Sequence, residues 1–505
     1  MTLRTFTILL VTAACALAQP KPTLTPADYG KWETLGAGTL SPDGKWLAYE
    51  IRRSNGDNEL RVASTSGAGK THVLANCTGT AFSSDSRWLA CEAGVSEAEQ
   101  DKARKASRTL QNKLNLLDLT DGSVTVVDDV QALAFAGDGP YLAFRKYNPA
   151  AAGAARGGAA AAPAAGAGGR GGRGGAASDT ERDPTGYTLI VRNLSTGIDT
   201  TFGNVTGYAW QDKGSNLAIA IGVEGRTGNA IQVFDPASSS LKVLDNGPAI
   251  FTALTWRKES SDLAALRSMK QDGFEGESYT ALAWKSLGDK RTVKVDAPKR
   301  IVTARAPQWS EDGSIVYVGI ADWPKKIEVK KSDDDPSTVE VWHWEDVNVI
   351  SEQKLTAARD RDRNQPAAWH IASGKLAPLS VNLKEDVRLP RTGSRALALD
   401  GVPYQNDAMF GRNFTDVYKV DMETGERAQV AKHLIPPVEF SPGGKYAMNF
   451  REGDFWIYDL ESGAARNITK DSKIGFTNKE NDYPVSQKPA YGVAGWTKDD
   501  RSVIV

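Results

Sequence analysis

Leu40-Ser41-Pro42-Asp43-Gly44-Lys45-Trp46-Leu47-Ala48-Tyr49 reads as the end of one strand, a tight turn and the start of a second strand. Proline presets one backbone angle of the turn, aspartate can bond its own backbone, and glycine accepts positive φ. The shape recurs at Phe82–Ala90, Phe135–Ala143, Trp210–Ala218, Trp256–Ala264, Trp309–Tyr317, Phe440–Met448 and Trp496–Ile504, with a degraded copy over Leu389–Ala398. The turns start near residues 41, 83, 136, 211, 257, 310, 390, 441 and 497, and most intervals fall between 42 and 56 residues. That period leaves room for four strands per repeat, which is the pattern of β-propeller blades.

A second signature follows the first in several repeats. Asn115-Leu116-Leu117-Asp118, Ile190–Gly197, Gln232–Pro236, Val417–Gly425 and Trp456–Gly463 each give a short apolar strand, a polar residue and a second turn. The expected fold is therefore all-β: a propeller of four-stranded blades over residues 24–505, with about eight repeats and an incomplete ninth. Equivalent buried positions fall on Leu47, Leu89, Leu142 and Leu217. Both tight turns of a repeat lie at one edge of its sheet, and the second-to-third connections and repeat-to-repeat links lie at the other.

The irregular segments all fall at that other edge. Ser96-Glu97-Ala98-Glu99 is a capping box that opens a helix of about three turns toward Leu110. Residues 149–183 are a Gly/Ala-rich insert, carrying Arg156, Arg170 and Arg173, that has too little apolar bulk to build a core. Residues 321–368 form an insert with an extra strand, Val339–Trp344, and a polar helix from about Val349 to Arg363. Inserts gathered on one face mark it as the face that meets something else.

Composition narrows the class. The chain has 505 residues, 40% hydrophobic and 24% charged, with 61 Lys and Arg against 62 Asp and Glu, so it carries no electrostatic footprint for nucleic acid. Residues 1–18 have a secretory signal pattern: Arg4, an apolar run from Phe6, and Ala16-Leu17-Ala18 before Gln19. Two other readings of this stretch stay open, an N-terminal anchor, for which the run is short, and a lipoprotein signal through Cys15, against which Thr12 stands. Export to the periplasm or the extracellular space is the expectation, with no further membrane span. After cleavage only Cys77 and Cys91 remain, and pairing the hairpin about Ser84 and Asp85 brings residue 91 opposite 77 or 78. They are either a disulfide or two inert thiols. The four histidines, at 72, 343, 370 and 433, have no metal-ligand spacing, and neither a metal nor a cofactor is expected.

The exported repeats, together with Leu24–Gly36, Val339–Asp346, Asn481-Asp482-Tyr483-Pro484 and Tyr491–Trp496, resemble the propeller portion of bacterial prolyl oligopeptidase family serine peptidases. In that family, which includes dipeptidyl and acylaminoacyl peptidases, the propeller covers an α/β-hydrolase domain and limits access to small peptides. The resemblance covers essentially the whole mature chain and implies a peptide substrate as partner. A Gly-x-Ser-x-Gly elbow, which the hydrolase domain needs, occurs nowhere in the 505 residues, so no catalytic residue is assigned and the catalytic half is expected beyond Val505. The ninth repeat, which stops after one turn, fits that expectation. In dipeptidyl peptidases of the family a helical insert carries paired glutamates that hold the substrate's amino terminus, and the resemblance carries that role to Glu97 and Glu99. Against it, acidic residues in a helix's first turn are favoured by the dipole alone, and Glu99 already caps. Trp342, His343 and Trp344 are the second candidate substrate contacts, against the reading that alternating aromatics pack a strand. A stand-alone periplasmic binding or scaffold propeller is the alternative function. A propeller lyase or glycosidase would need clustered carboxylates or histidines that the spacing does not offer. Oligomeric state is left open, a homo-oligomer included.

Overall fold

The computed structural model describes residues 24–67, 69–108, 110–147, 184, 186–326, 339–485 and 487–505. The signal stretch, the whole Gly/Ala-rich insert over 149–183 and residues 327–338 of the later insert lie outside the described residues. Two compact units divide the chain after Leu133.

The first unit holds two antiparallel four-stranded sheets. One has the strands Glu33–Leu40, Trp46–Arg53, Glu59–Ser64 and His72–Ala75; the other has Cys77–Phe82, Trp88–Ala93, Lys113–Asp118 and Val124–Val127. In each sheet the strands are hydrogen-bonded in chain order. Leu60, Val62 and Leu74 of the first sheet share a core with Cys77, Leu89, Cys91 and Leu117 of the second. The helix opened by Ser96 runs over Glu97–Lys105, shorter than the sequence suggests. It ends because Ser107 takes a left-handed φ of 51°, and Ser107 N and Arg108 N turn back to the carbonyls of Arg104 and Ala103.

Cys77 and Cys91 are joined by a disulfide, with Cα atoms 5.6 Å apart. The register differs from the expected one: Cys77 lies opposite Ala93, and an irregularity between Thr78 and Ala81 offsets the two strands, so the bond crosses the hairpin diagonally. Leu89 is fully buried, but Leu47 is only half-buried. Its partner strand Glu33–Leu40 is exposed almost throughout, and Leu40, opposite Leu47, is 58% exposed.

The second unit repeats the plan with variations. Strand Asp199–Trp210 serves as the outer strand of the third repeat and the inner strand of the fourth, which fuses those repeats into one seven-stranded sheet. The fifth repeat is a four-stranded sheet over 251–293, and the sixth has five strands because its inner strand breaks into Lys299–Val302 and Gln308–Trp309. Four-stranded sheets follow over 386–434 and 438–467, and then a two-stranded hairpin, Gly495–Trp496 with Val503–Ile504. Leu142 and Leu217 are fully buried, as the repeat pattern predicts.

Each core is built by two consecutive repeats, because a strand buried on both faces sends alternate side chains to each neighbour. In strand Ile315–Asp322, Val316, Val318 and Ile320 pack with Ala264 and Leu266 of the fifth repeat, while Ile315 and Tyr317 pack with Ala396 and Ala398 of the seventh. Indole N–H groups stitch the inner strands together. Trp210 Nε1 donates to Ala134 O, Trp256 Nε1 to Ala209 O, and Trp309 Nε1 to Thr255 O, at 2.9–3.2 Å.

The turns carry a further set of bonds. The first-position hydroxyl accepts the N–H five residues on and donates to the third-position carboxylate: Ser41 to Asp43, Ser83 to Asp85, Ser310 to Asp312, and Thr497 to Asp499. In three repeats the third-position N–H points instead at the next repeat, and in the fifth it points back, Glu259 N donating to Asp212 Oδ2 at 3.1 Å. Asp43 N donates to Ser86 Oγ (3.0 Å), Asp138 N to Gly214 O (3.0 Å), and Gly443 N to Asp500 Oδ1 (2.8 Å). The eighth repeat has glycine where others have the turn aspartate, and Asp500 of the ninth supplies the missing carboxylate, accepting from Ser441 Oγ at 2.9 Å. A Cβ on Gly443 would meet Asp500 Oδ2 at 2.6 Å, so the absent side chain makes the space the borrowed carboxylate occupies.

Asp262 replaces this device in the fifth repeat. Its carboxylate, 2% exposed, accepts from Arg257 Nε (2.7 Å), Lys285 Nζ (2.6 Å) and Ser286 N (2.8 Å). Burial pushes the carboxyl up, but Lys285, the Ser286 N–H and Arg257 together hold it below the usual carboxylate range. A carboxyl lowered on folding contributes stability that is complete above its unfolded value of about 3.9 and is lost as pH falls through the folded value. Asp262→Asn should lose about 3 kcal/mol at pH 7. The gap from wild type should narrow below about pH 4 in urea melts repeated across pH.

Candidate functional site

One end of the second unit's sheets carries the tight turns and their bonds. The other end carries the longer connections, and there a cleft of about 500 Å³ opens between the sixth and seventh repeats. Lys299, Asp322 and Gln365 come from the ends of sixth-repeat strands, Val381–Lys384 from the link to the seventh, and Val402 and Gln405 from a seventh-repeat loop.

The link is shaped by its own polar groups. Asn382 Oδ1 accepts from Lys384 N (2.8 Å) and Glu385 N (3.0 Å), an Asx-type turn. Glu385, its side chain fully buried, accepts Val381 N at 2.9 Å and is paired with Arg427, whose guanidinium lies 3.6 Å over the Tyr418 ring. Between the two sheets Arg305 fills the space left by Gly319, where a Cβ would meet Arg305 Cβ at 2.8 Å. Arg305 Nε donates to Asn364 Oδ1 at 2.9 Å, and burial lowers the guanidinium pKa.

On the far side of the cleft, the loop from Gly401 to Phe414 is held by one buried carboxylate. Asp416 accepts Tyr404 Oη (2.6 Å), His433 N (3.0 Å) and Gln429 Nε2 (3.2 Å). Phe414 stacks on His433 with ring centroids 3.9 Å apart, and Tyr404 meets both rings edge-on. The bond to Asp416 pushes the Tyr404 hydroxyl up to about 12. The loop tip offers Met409 and Phe410 to solvent, 51% and 73% exposed. A second cleft, about 560 Å³, lies at the same end of the fourth repeat, lined by Thr227, Gln232, Val243 and Asn246 among others.

The candidate residues read from the sequence lie elsewhere. Glu97 and Glu99 are exposed in the first turn of their helix, where Ser96 Oγ accepts Glu99 N at 3.4 Å and the Glu97 side chain lies against Gly56. The expected strand Val339–Trp344 does not form. His343 N donates to Asp346 Oδ2, Glu345 N to His343 Nδ1, and Asp346 N to His343 O, so a local turn uses the backbone groups a ladder would need. Trp342 and Trp344 are 64% and 86% exposed, and His343 stacks on Trp344 at 5.9 Å. The segment is tied to helix Ile350–Arg361 by Lys354, whose ammonium holds the Glu340 carboxyl below its usual range. These two groups of residues fall in different units.

The sequence reading does not find the Tyr404, Phe414, Asp416 and His433 cluster. Thr415-Asp416 at the head of its strand is no signal, since the corresponding strands of other repeats also begin on polar residues, among them Glu59, Lys113, Ser278 and Asp454. Among the described residues no three His, Cys, Asp or Glu side chains converge as metal ligands, and no helix is long and apolar enough to cross a membrane.

No protein-family profile matches the chain, and no curated protein matches it. Among solved structures it is similar to the β-propeller domain of the Trilobed protease from Pyrococcus furiosus, at 9% identity and TM-score 0.31 over 80% of this chain and all of that one. A eukaryotic initiation factor aligns at 12% identity and TM-score 0.41, over 90% and 92%. Acylaminoacyl peptidase from Pyrococcus horikoshii aligns at 9% and 0.31, over 85% of this chain and 57% of that one. Overlaps this weak say nothing of activity.

Removing the Tyr404 hydroxyl takes a donor from a buried carboxylate. Tyr404→Phe should loosen the 401–414 loop by about 1.5 kcal/mol, roughly tenfold faster amide exchange there, with sheet exchange unchanged. In wild type the tether should hold below about pH 10, the usual tyrosine value, and weaken as pH rises toward 12.

Proposed function

We propose that these repeats close into a β-propeller that serves as the non-catalytic module of an exported serine peptidase. It governs peptide access to a hydrolase domain encoded beyond Val505. The observation that carries this reading is the contrast between the two ends of the second unit's sheets. One end is tied repeat to repeat through its turns, Asp138 to Gly214 and Gly443 to Asp500, and the other gathers the long connections and both clefts. A screening module needs a stiff frame and an adaptable rim, and loops held on a rigid scaffold supply the rim. The propeller-type resemblance of Leu24–Gly36, Val339–Asp346 and Tyr491–Trp496 supplies the peptidase class.

Within this reading Glu97 and Glu99 are one candidate for holding a substrate ammonium group by charge-assisted bonds, and Trp342, His343 and Trp344 are a second, separate candidate for contacting a peptide. The signal at residues 1–18 sends the protein out of the cytoplasm. The 505-residue chain by itself should fail to react with a fluorophosphonate serine probe, and the product of the complete gene should label at one serine C-terminal to Val505. Labelling within residues 1–505, or none in the complete product, overturns the proposal.

A further inference from the structure

The cleft between the sixth and seventh repeats has an excess of hydrogen-bond donors. Lys299 Nζ is paired with Asp322 (2.7 Å) and also reaches Gln365 Oε1 (3.4 Å). Lys384 Nζ reaches only Gln405 Oε1, at 3.3 Å. Every amide oxygen in the lining is thus engaged by a protein donor: Gln365 by Lys299, Gln405 by Lys384, and Asn382 by two backbone N–H groups. Gln365 Nε2 is spent on Ser380 O, but among the described residues the NH₂ groups of Asn382 and Gln405 have no protein acceptor, and Lys384 has no carboxylate.

Two ammonium groups face one carboxylate in the lining, and Glu385 nearby is committed to Arg427 and Val381 N. Beside these donors stand Val381 and Leu383, 64% and 37% exposed, with Val402 opposite. A ligand that fits must bring acceptors and negative charge at one end and an apolar group within a few ångströms of it. An extended peptide ends in that way, with an α-carboxylate next to the last side chain.

We infer that this cleft binds the C-terminal carboxylate and terminal apolar side chain of a peptide, with Lys384, Asn382 and Gln405 on the carboxylate and Val381, Leu383 and Val402 on the side chain. Charge-assisted bonds of this kind lose strength when the acceptor becomes neutral, so a C-terminal amide is the discriminating analogue. The choice of a peptide rests on the peptidase reading, but binding is measured on this chain without a hydrolase domain, so either idea can fail alone.

The experiment is calorimetric titration of the 505-residue protein at low salt with acetyl-Leu-Leu carrying a free carboxylate, against the same peptide as its amide. The free acid should bind saturably, and the amide at least tenfold more weakly. Lys384→Met, an exposed change that should leave the melting curve unmoved, should cost the acid a similar factor and leave the amide unaffected. Leu383→Asp, which sets a like charge beside the carboxylate, should abolish binding of the acid. Equal affinity for acid and amide, no binding of either, or full affinity in Lys384→Met overturns the inference. Displacement of the peptide by inorganic phosphate at equal concentration overturns it too, in favour of a general anion site.

Discussion

A backbone N–H at the third position of a tight turn has no partner within its own hairpin, and the repeat architecture depends on what becomes of it. Left buried and unpaired, such a group would cost about 1–3 kcal/mol. In three turns it is passed to the following repeat, Asp43 to Ser86, Asp138 to Gly214 and Gly443 to Asp500, and in the fifth Glu259 passes it back to Asp212 of the fourth. In the three forward ties the acceptor comes from the fourth turn position, whose backbone is left-handed. Where a carbonyl serves, glycine suffices, as at Gly214. Where a side chain serves, the position departs from glycine, and Ser86 and Asp500 accept φ of 59° and 60° to do it. Strain at those two residues is offset by the bonds they make to the neighbour.

This explains which parts of the fold could be read from residues alone. Turn spacing and strand alternation follow from local rules, so the repeat count and the burial of Leu89, Leu142 and Leu217 were legible. Leu47 was not, since its burial depends on what covers the exposed strand Glu33–Leu40. The hydrophobic alternation of Val339–Trp344 suggested a strand, but a strand needs a partner, and the polar groups at His343 and Asp346 close a turn instead. The Cys77 hairpin slipped by an irregularity at Gly79, whose φ of 63° breaks the strand, and that glycine was the signal the residues offered. The Asp416 cluster joins residues from three separate segments, and nothing in any one of them marks the others.

The same division of labour shapes the functional end. The ties that run from turn to turn in the second unit leave the connections at the opposite edge free to vary. The seventh repeat has used that freedom for an aromatic loop and the sixth for a long insert. The cleft between them is built from residues that are not needed to hold sheets together, since Val381–Lys384 and Gln405 lie in links and loops. Each is nevertheless set by a buried anchor, Glu385 on one side and Asp416 on the other. A rim assembled in this way can change its chemistry without disturbing the frame.

The account stands on the bond that joins consecutive turns, and the eighth and ninth repeats allow it to be moved. Gly443→Asp with Asp500→Ala returns the carboxylate to the eighth repeat's own turn, as in the first, second and sixth, and removes the tie to the ninth, because alanine does not take the φ of 137° from which the Gly214 carbonyl accepts. Hydrogen exchange followed peptide by peptide should show residues 441–446 as protected as in wild type, and residues 495–504 exchanging at least tenfold faster. Undiminished protection of 495–504 in the double variant would show that packing alone holds the hairpin, and would contradict the claim that these turn-to-turn bonds organise the repeats.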